Sequence, residues 1–389
     1  MHRNRLPSLL VTVFSFLLLS AQGNALDKAS PSNQELERAR LDQSPVALKH
    51  LLAQPVDNPV EKALSQAFLA SRISPDVTAL QTLEDWLQNH PDAPLTDRLF
   101  AYKQLGNRYM AFTLYAEAAE AYEHAIALTE GKPDSDLEDA LALAKIARTV
   151  SPIRKTGASG AALPLKRDIA RLNRVSVNIS GTVSPMIVDT GAEISVAARS
   201  VAEASNMQFL EGDVTVGTTT DNVVGQLAVS NSVDLGGMVF QNVLFLVLPD
   251  DQLTFADGQY FVDGIIGLPI FSAAQRMGWT EKANKLLLGD TVQLTGNTPA
   301  PIYWHDDGLA LEVKYNGAAF PAFFDSGASS SSGTFLLKNM LSAHDKSTLL
   351  TTTETRTGVG GPVEAETHRL PEITMAITGK DMVFANIRI

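Results

Sequence analysis

Cysteine is absent from all 389 residues. That removes disulfides, thiol nucleophiles, lipid attachment at a cysteine and cysteine-based zinc sites. The chain holds only seven histidines, none at paired metal-ligand spacing, so neither a metal nor a cofactor is expected. Basic charge is short too: 31 Lys and Arg stand against 43 Asp and Glu, a formal net charge of −12. Nucleic acids and anionic membrane surfaces attract basic patches, so neither is expected as a partner. No Gly-x-Ser-x-Gly elbow is present to carry a serine nucleophile. Past the first residues no apolar run is long enough for a bilayer, so no stable membrane span is expected.

What is present begins with an export-like segment. Arg3 and Arg5 precede an apolar stretch from Leu9 to Leu19, and the small residues of SAQGNA follow. This is the layout of a signal peptide over residues 1–25, cut after Ala25. An exported chain without disulfides fits a bacterial periplasm, so a periplasmic or secreted location is expected. Hydrophobic residues make up 45%, enough for real cores, and the length suggests two or three domains.

Residues 26–150 carry apolar residues at helical spacing. The segment DRLFAYKQLGNRYMAFTLYAEAAEAYEHAIALTEGKP resembles a tetratricopeptide repeat. Its signature positions fall on Tyr102, Leu105, Gly106, Tyr109, Ala118, Tyr122 and Ala125, and a weaker second-helix copy on Ala79, Leu83, Trp86 and Pro91. A generic helical hairpin would show the same spacing. As a repeat, the region implies a site for a peptide or a partner protein. Residues 151–165, SPIRKTGASGAALPL, are rich in Gly, Ala, Ser and Pro and are expected to be a linker.

After the linker the texture changes to short β-branched runs separated by Gly, Asn and Asp. This half repeats itself. RVSVNISGTVSPMIVDTGAEIS is answered by LALEVKYNGAAFPAFFDSGASS, and GGMVFQNVLF (236–245) by GKDMVFANIRI (379–389). Each copy is strand, glycine turn, strand, then Asp-[Ser/Thr]-Gly-Ala. Two copies in the same order imply two related lobes, over 166–295 and 296–389.

These motifs resemble the pepsin-like and retroviral-type aspartic proteases, and the short lobe with Ala after Asp-Thr-Gly points to the retroviral (retropepsin-like) type. The resemblance spans about residues 166–389. It implies a multidomain chain: an α-helical, repeat-like N-terminal domain followed by an all-β, two-lobed protease region. It also implies a catalytic pair, Asp189 and Asp325, from loops Thr190, Gly191, Ala192 and Ser326, Gly327, Ala328. Two carboxylates a few ångströms apart share one proton, and the pair can then act as general base and general acid on a peptide bond. By the same resemblance Thr190 and Ser326 lock the two loops, and Ile265, Ile266 and Gly267 cross beneath the first loop as its support.

Hairpins that close over a substrate are sought at VGTTTDNVVGQ, bounded by Gly217 and Gly225, and at TGVGGPVEAE, with Gly358 and Gly360. An extended protein or peptide substrate would pair there as an added strand. The second lobe reads as C-terminally incomplete: Gly267 lies 78 residues after Asp189, and the same step from Asp325 passes Ile389. Three functions remain open at this stage. They are a self-contained aspartic endopeptidase, a protease that pairs two chains through Asp189, and a catalytically inactive peptide-binding module.

Overall fold

The computed structural model describes residues 32–389 except 130, 133–134, 218–221, 281, 283, 294–300, 307, 330–331, 334 and 359–360. The export-like segment lies outside these residues. Among the described residues no helix is long and apolar enough to cross a membrane.

Among the described residues seven α-helices come first: α1 (Asn33–Leu41), α2 (Pro45–Leu52), α3 (Pro59–Ile73), α4 (Gln81–Asn89), α5 (Leu95–Ala111), α6 (Tyr115–Ala127) and α7 (Ser135–Ala147). Their starts are written locally. Ser32 caps α1 in a capping box with Glu35, while Ser44 and Asn58 cap α2 and α3 with proline in the first turn. These side chains satisfy amide groups that a helix start leaves unpaired. α5 and α6 form a tight hairpin in which Leu105, Tyr109, Ala118, Tyr122 and Ala125 are buried. A Cβ at Gly106 would drive into the Tyr122 ring, whose hydroxyl donates to Asn107 Oδ1 at 3.0 Å.

That contact makes a prediction. Gly106→Ala should destabilise the protein despite the ~1 kcal/mol that alanine gains over glycine in a helix. Overpacking a filled core costs ~1–3 kcal/mol, so a thermal melt should show a net loss of about 1 kcal/mol. An unchanged or higher Tm would show that the hairpin can open at no cost.

The β half falls into two units. The first runs through β1 (Arg154–Gly157), β2 (Gly160–Pro164), β3 (Lys166–Arg167), β4 (Asn173–Ile179), β5 (Thr182–Val188), β6 (Ser195–Ala198), β7 (Gln208–Gly217) and β8 (Asn222–Ser230). It continues through β9 (Val233–Leu235), β10 (Met238–Gln241), β11 (Val243–Leu248), β12 (Thr254–Phe255), β13 (Tyr260–Phe261), β14 (Gly264–Ile266), β15 (Met277–Trp279) and β16 (Lys285–Gly289). Its main sheet has the order β1-β10-β9-β4-β5-β14-β6-β11-β8-β7. Alternation decides which face goes inward: in β4, Val175, Val177 and Ile179 are buried and Ser176 and Asn178 are exposed. β11 is buried throughout, as a strand covered on both faces must be.

The second unit holds β17 (Ile302–His305), β18 (Gly308–Tyr315), β19 (Ala318–Phe323), β20 (Leu350–Gly358), β21 (Gly361–Ile377) and β22 (Lys380–Arg388). Its order is β17-β18-β21-β20, with β19 on β18 and β22 on β21. The β18–β19 hairpin repeats β4–β5. A parallel bridge from Ser332 to Arg388 echoes the parallel β6–β11 pair. The first unit carries the loop of Asp189 and the second the loop of Asp325.

The expected linker is corrected by the fold. Within 151–165, β1 pairs antiparallel with β10 and β2 with β16. The small residues that suggested a tether instead allow close strand pairing. Gly160 has backbone of Asp290 and Thr291 within 3 Å of where a Cβ would sit, and Ala161 and Leu163 point into the core. The first unit thus begins near Arg154. The helices also pack on it: Tyr115 and Ala147 are buried with Leu172 and Val214, and Ile146 meets Gly212 of β7.

Candidate active site

β5 delivers three buried apolar residues, Met186, Ile187 and Val188, directly into Asp189. The strand is held in parallel register by β14, with Ile265 opposite Ile187 and Ile266 opposite Val188. The Asp189 N–H donates to the Ile266 carbonyl at 3.0 Å, and the Leu268 N–H donates to the Ala192 carbonyl at 2.8 Å. The Gly267 N–H donates to Ser195 Oγ at 3.1 Å. A Cβ at Gly267 would lie 2.6 Å from the Ala192 carbonyl oxygen. Ile265, Ile266 and Gly267 therefore lie directly against the loop of Asp189–Ala192, and Gly267 is glycine because the backbones touch.

β19 ends two residues before Asp325, and the two Asp loops meet. In each loop the glycine N–H returns to the aspartate: Gly191 to Asp189 Oδ1 and Gly327 to Asp325 Oδ1, both at 2.8 Å. Between the loops the hydroxyls cross. Thr190 Oγ1 accepts from the Ser326 N–H at 3.0 Å and donates to the Phe324 carbonyl at 2.7 Å. Ser326 Oγ accepts from the Thr190 N–H at 3.0 Å and donates to the Val188 carbonyl at 2.9 Å. Each hydroxyl is thus used as both acceptor and donor.

The glycines let the carboxylates approach. A Cβ at Gly191 would lie 2.8 Å from Asp325 Cγ and 3.2 Å from Asp189 Oδ1. A Cβ at Gly327 would overlap the Asp189 carboxylate. Neither glycine needs a left-handed backbone; space is the reason for both.

The two acids sit in unequal surroundings. Asp189 is 1% exposed, whereas Asp325 is half-buried. Burial pushes the Asp189 carboxyl well above its ordinary range, and the facing Asp325 raises it further. The amide groups of Gly191 and Gly327 pull the other way without reversing the shift. Ala192 is buried behind its loop, and Ala328 is half-buried.

The hairpin candidates are placed unevenly. Gly217 pairs with Asn222 at the outer end of β7–β8. Gly225 sits at the root, where a Cβ would meet the Val247 carbonyl and Leu248 of β11. Gly358 pairs with Gly361 at the end of β20–β21, and Gly360 lies outside the described residues. Sequence reasoning missed Trp279 on β15, whose ring meets Phe324 edge-on with centroids 5.7 Å apart. It also missed Arg174, which binds Asp168 at 2.7 Å and Asp263 at 3.3 Å and so ties β4 to the residue before β14. The available signal is an arginine at the second position of a β-branched strand. Among the described residues no group of His, Asp or Glu is arranged to hold a metal ion.

Residues 175–270 match the family model described as "Aspartyl protease". This stretch includes Asp189 and Ile265–Gly267 but not Asp325. A retropepsin-like aspartic protease from Rickettsia conorii is among the similar solved structures, at 14% identity and a TM-score of 0.22 over 35% of this chain and 90% of that one. No curated protein matches the chain. Over residues 175–270, then, the chain is similar to the aspartyl protease family.

Proposed function

We propose that the protein is a self-contained aspartic endopeptidase in which Asp189 and Asp325 activate one water. The observation that carries this reading is the meeting of the two carboxylates, one on each loop, across glycines with no room for a side chain. Asp189 is the more buried and holds the shared proton; Asp325 is the more exposed and stays ionised. Asp325 takes a proton from water as the oxygen adds to the peptide carbonyl carbon. Asp189 gives its proton to the carbonyl oxygen, forming a neutral tetrahedral diol. On collapse the diol returns a proton to Asp189 while Asp325 protonates the departing amine. The pair ends as it began, with one proton shared.

The helical domain, in this reading, recruits a protein substrate through its α5–α6 hairpin, and the export-like segment takes the chain to a periplasm. The test is cleavage of an unfolded protein and a mixed peptide library by purified protein between about pH 4 and pH 7, the range suited to a carboxyl pair that shares a proton. Asp325→Asn should abolish cleavage. If it leaves cleavage intact, the site is built from two copies of Asp189 or from another group. If a folded wild-type protein cuts nothing across the range, a peptide-binding module becomes the better reading.

A further inference from the structure

The two Asp loops are not supported alike. Asp189 follows a strand flanked by β4 and β14, whereas β19, which leads to Asp325, pairs among the described residues with β18 alone. The helical domain reaches this weaker side. Asp306 forms the turn between β17 and β18, and Gln43, in the turn after α1, grips it twice. The Gln43 amide NH2 donates to Asp306 Oδ1, and Gln43 Oε1 accepts from the Asp306 N–H at 2.7 Å. Arg72, near the end of α3 and fully buried, donates to the Asp306 carbonyl at 2.9 Å. On the neighbouring residue pair, the Arg108 guanidinium of α5 lies over the Trp304 ring of β17 at 3.9 Å.

From that turn to the catalytic loop the path is short. The His305 ring meets Phe323 edge-on at 4.9 Å. The Phe324 N–H donates to the Leu309 carbonyl at 2.9 Å, and Ala310 is in register with Phe323. Asp325 is the next residue. On the other side Phe324 is held by Thr190 and by the Trp279 ring.

We propose that the helical domain is part of the catalytic machinery: Gln43 and Arg72, by gripping Asp306, are positioning residues for Asp325. The inference rests on Asp325 being one of the two catalytic acids. The helices therefore do more than bring substrate near. They supply from one edge of the second lobe the rigidity that β14 supplies to the first. The grip is suited to acid conditions. Burial raises the Asp306 carboxyl, but the His305 hydrogen bond and charge, with Arg72 and Gln43, outweigh it and bring it down to about 2. It stays ionised where the catalytic pair is expected to work.

The experiment compares the full-length protein with Gln43→Ala, Arg72→Met and the double variant, and with Asp306→Asn, which keeps both backbone bonds and one side-chain acceptor. The readouts are kcat and KM for one peptide substrate across pH, with a thermal melt for each variant. Small displacements of reacting groups cost up to about 100-fold in rate, so the double variant should lose about 10-fold to 100-fold in kcat. KM should be little changed, and the pH profile should shift as the separation of the two acids changes. Asp306→Asn, which removes the charge that Gln43 and His305 face but keeps both backbone bonds, should lose kcat in the same direction and by less than the double variant. A folded double variant with wild-type kcat and pH profile overturns the proposal, as does a loss confined to KM, which would mark a substrate-binding role. If the double variant does not fold, Gln43→Ala alone decides by the same criteria. Asp325→Asn run in parallel keeps the two readings apart: activity in that variant refutes the catalytic pair itself, whereas its loss beside an unaffected grip variant refutes only the positioning role.

Discussion

Asp189→Asn should lose at least about 1,000-fold in kcat and, at neutral pH, melt at a higher temperature than the wild type. The loss follows from chemistry. An amide can neither hold the shared proton nor pass it to the carbonyl oxygen, and positioned acid–base groups contribute ~10²–10⁴-fold each. The gain follows from linkage. The folded protein holds the Asp189 carboxyl well above its unfolded value. The group therefore favours the folded state fully below the unfolded value, near 3.8, and that contribution is lost as pH rises through the folded value. At pH 7 the wild type must either bury a charge beside Asp325 or keep a proton against the solution. Asparagine escapes both. The difference in Tm should shrink as pH falls towards 4, and calorimetry at three pH values checks it. A variant less stable than the wild type at pH 7 would show that the carboxyl is not strained by its site.

Gly327→Ala should be nearly as damaging to activity, for a geometric reason. The new methyl group would occupy the space of the Asp189 carboxylate. Neither neighbour can yield cheaply: Asp189 is fixed by the Gly191 amide, and the Gly327 loop is fixed by Ser326 through the bonds to Thr190 and Val188. The loops must separate or the carboxylate must turn away. Either breaks the shared-proton arrangement, and displacements of ~1 Å cost about 100-fold. We expect kcat to fall by about 100-fold or more and stability by ~1–3 kcal/mol. The same change at Gly181, where a Cβ meets nothing within 4 Å, tests the left-handed backbone alone. It should cost stability and leave kcat intact. Equal kcat in the wild type and Gly327→Ala would mean that the two acids do not meet during catalysis.

How far the sequence revealed the molecule depends on the range of the interaction. The Asp loops were legible because their requirements are local. A strand end, an acid, a hydroxyl and a glycine occupy four successive positions, twice. Helix starts were legible for the same reason, through Ser32, Ser44 and Asn58. The strands in 151–165 were not, because a run such as GASGAALP is judged by composition, while its pairing with Lys285–Gly289 depends on residues more than a hundred positions away. The Gln43–Asp306 grip spans 263 residues and has no periodicity at either end. Arg72 and Arg108 were equally opaque: an arginine on a helix reads as solvated until a partner element covers it. The unequal burial of Asp189 and Asp325 likewise belongs to the assembled lobes and to neither motif.

The strands formed by 151–165 bear on a hazard that every peptidase faces, which is itself. A peptidase that takes its substrate as an added strand needs extended backbone with free amide and carbonyl groups, and the passage between two domains is where such backbone is ordinarily found. Here Arg154–Gly157 is already paired along its length with Met238–Gln241, and Gly160–Pro164 with Lys285–Gly289. The stretch has the right conformation for a substrate, but each of its strands is already held along one edge by the first lobe. A second molecule would have to peel it out of the first lobe before cutting it, so autolysis at the waist is slowed by the cost of unmaking the sheet.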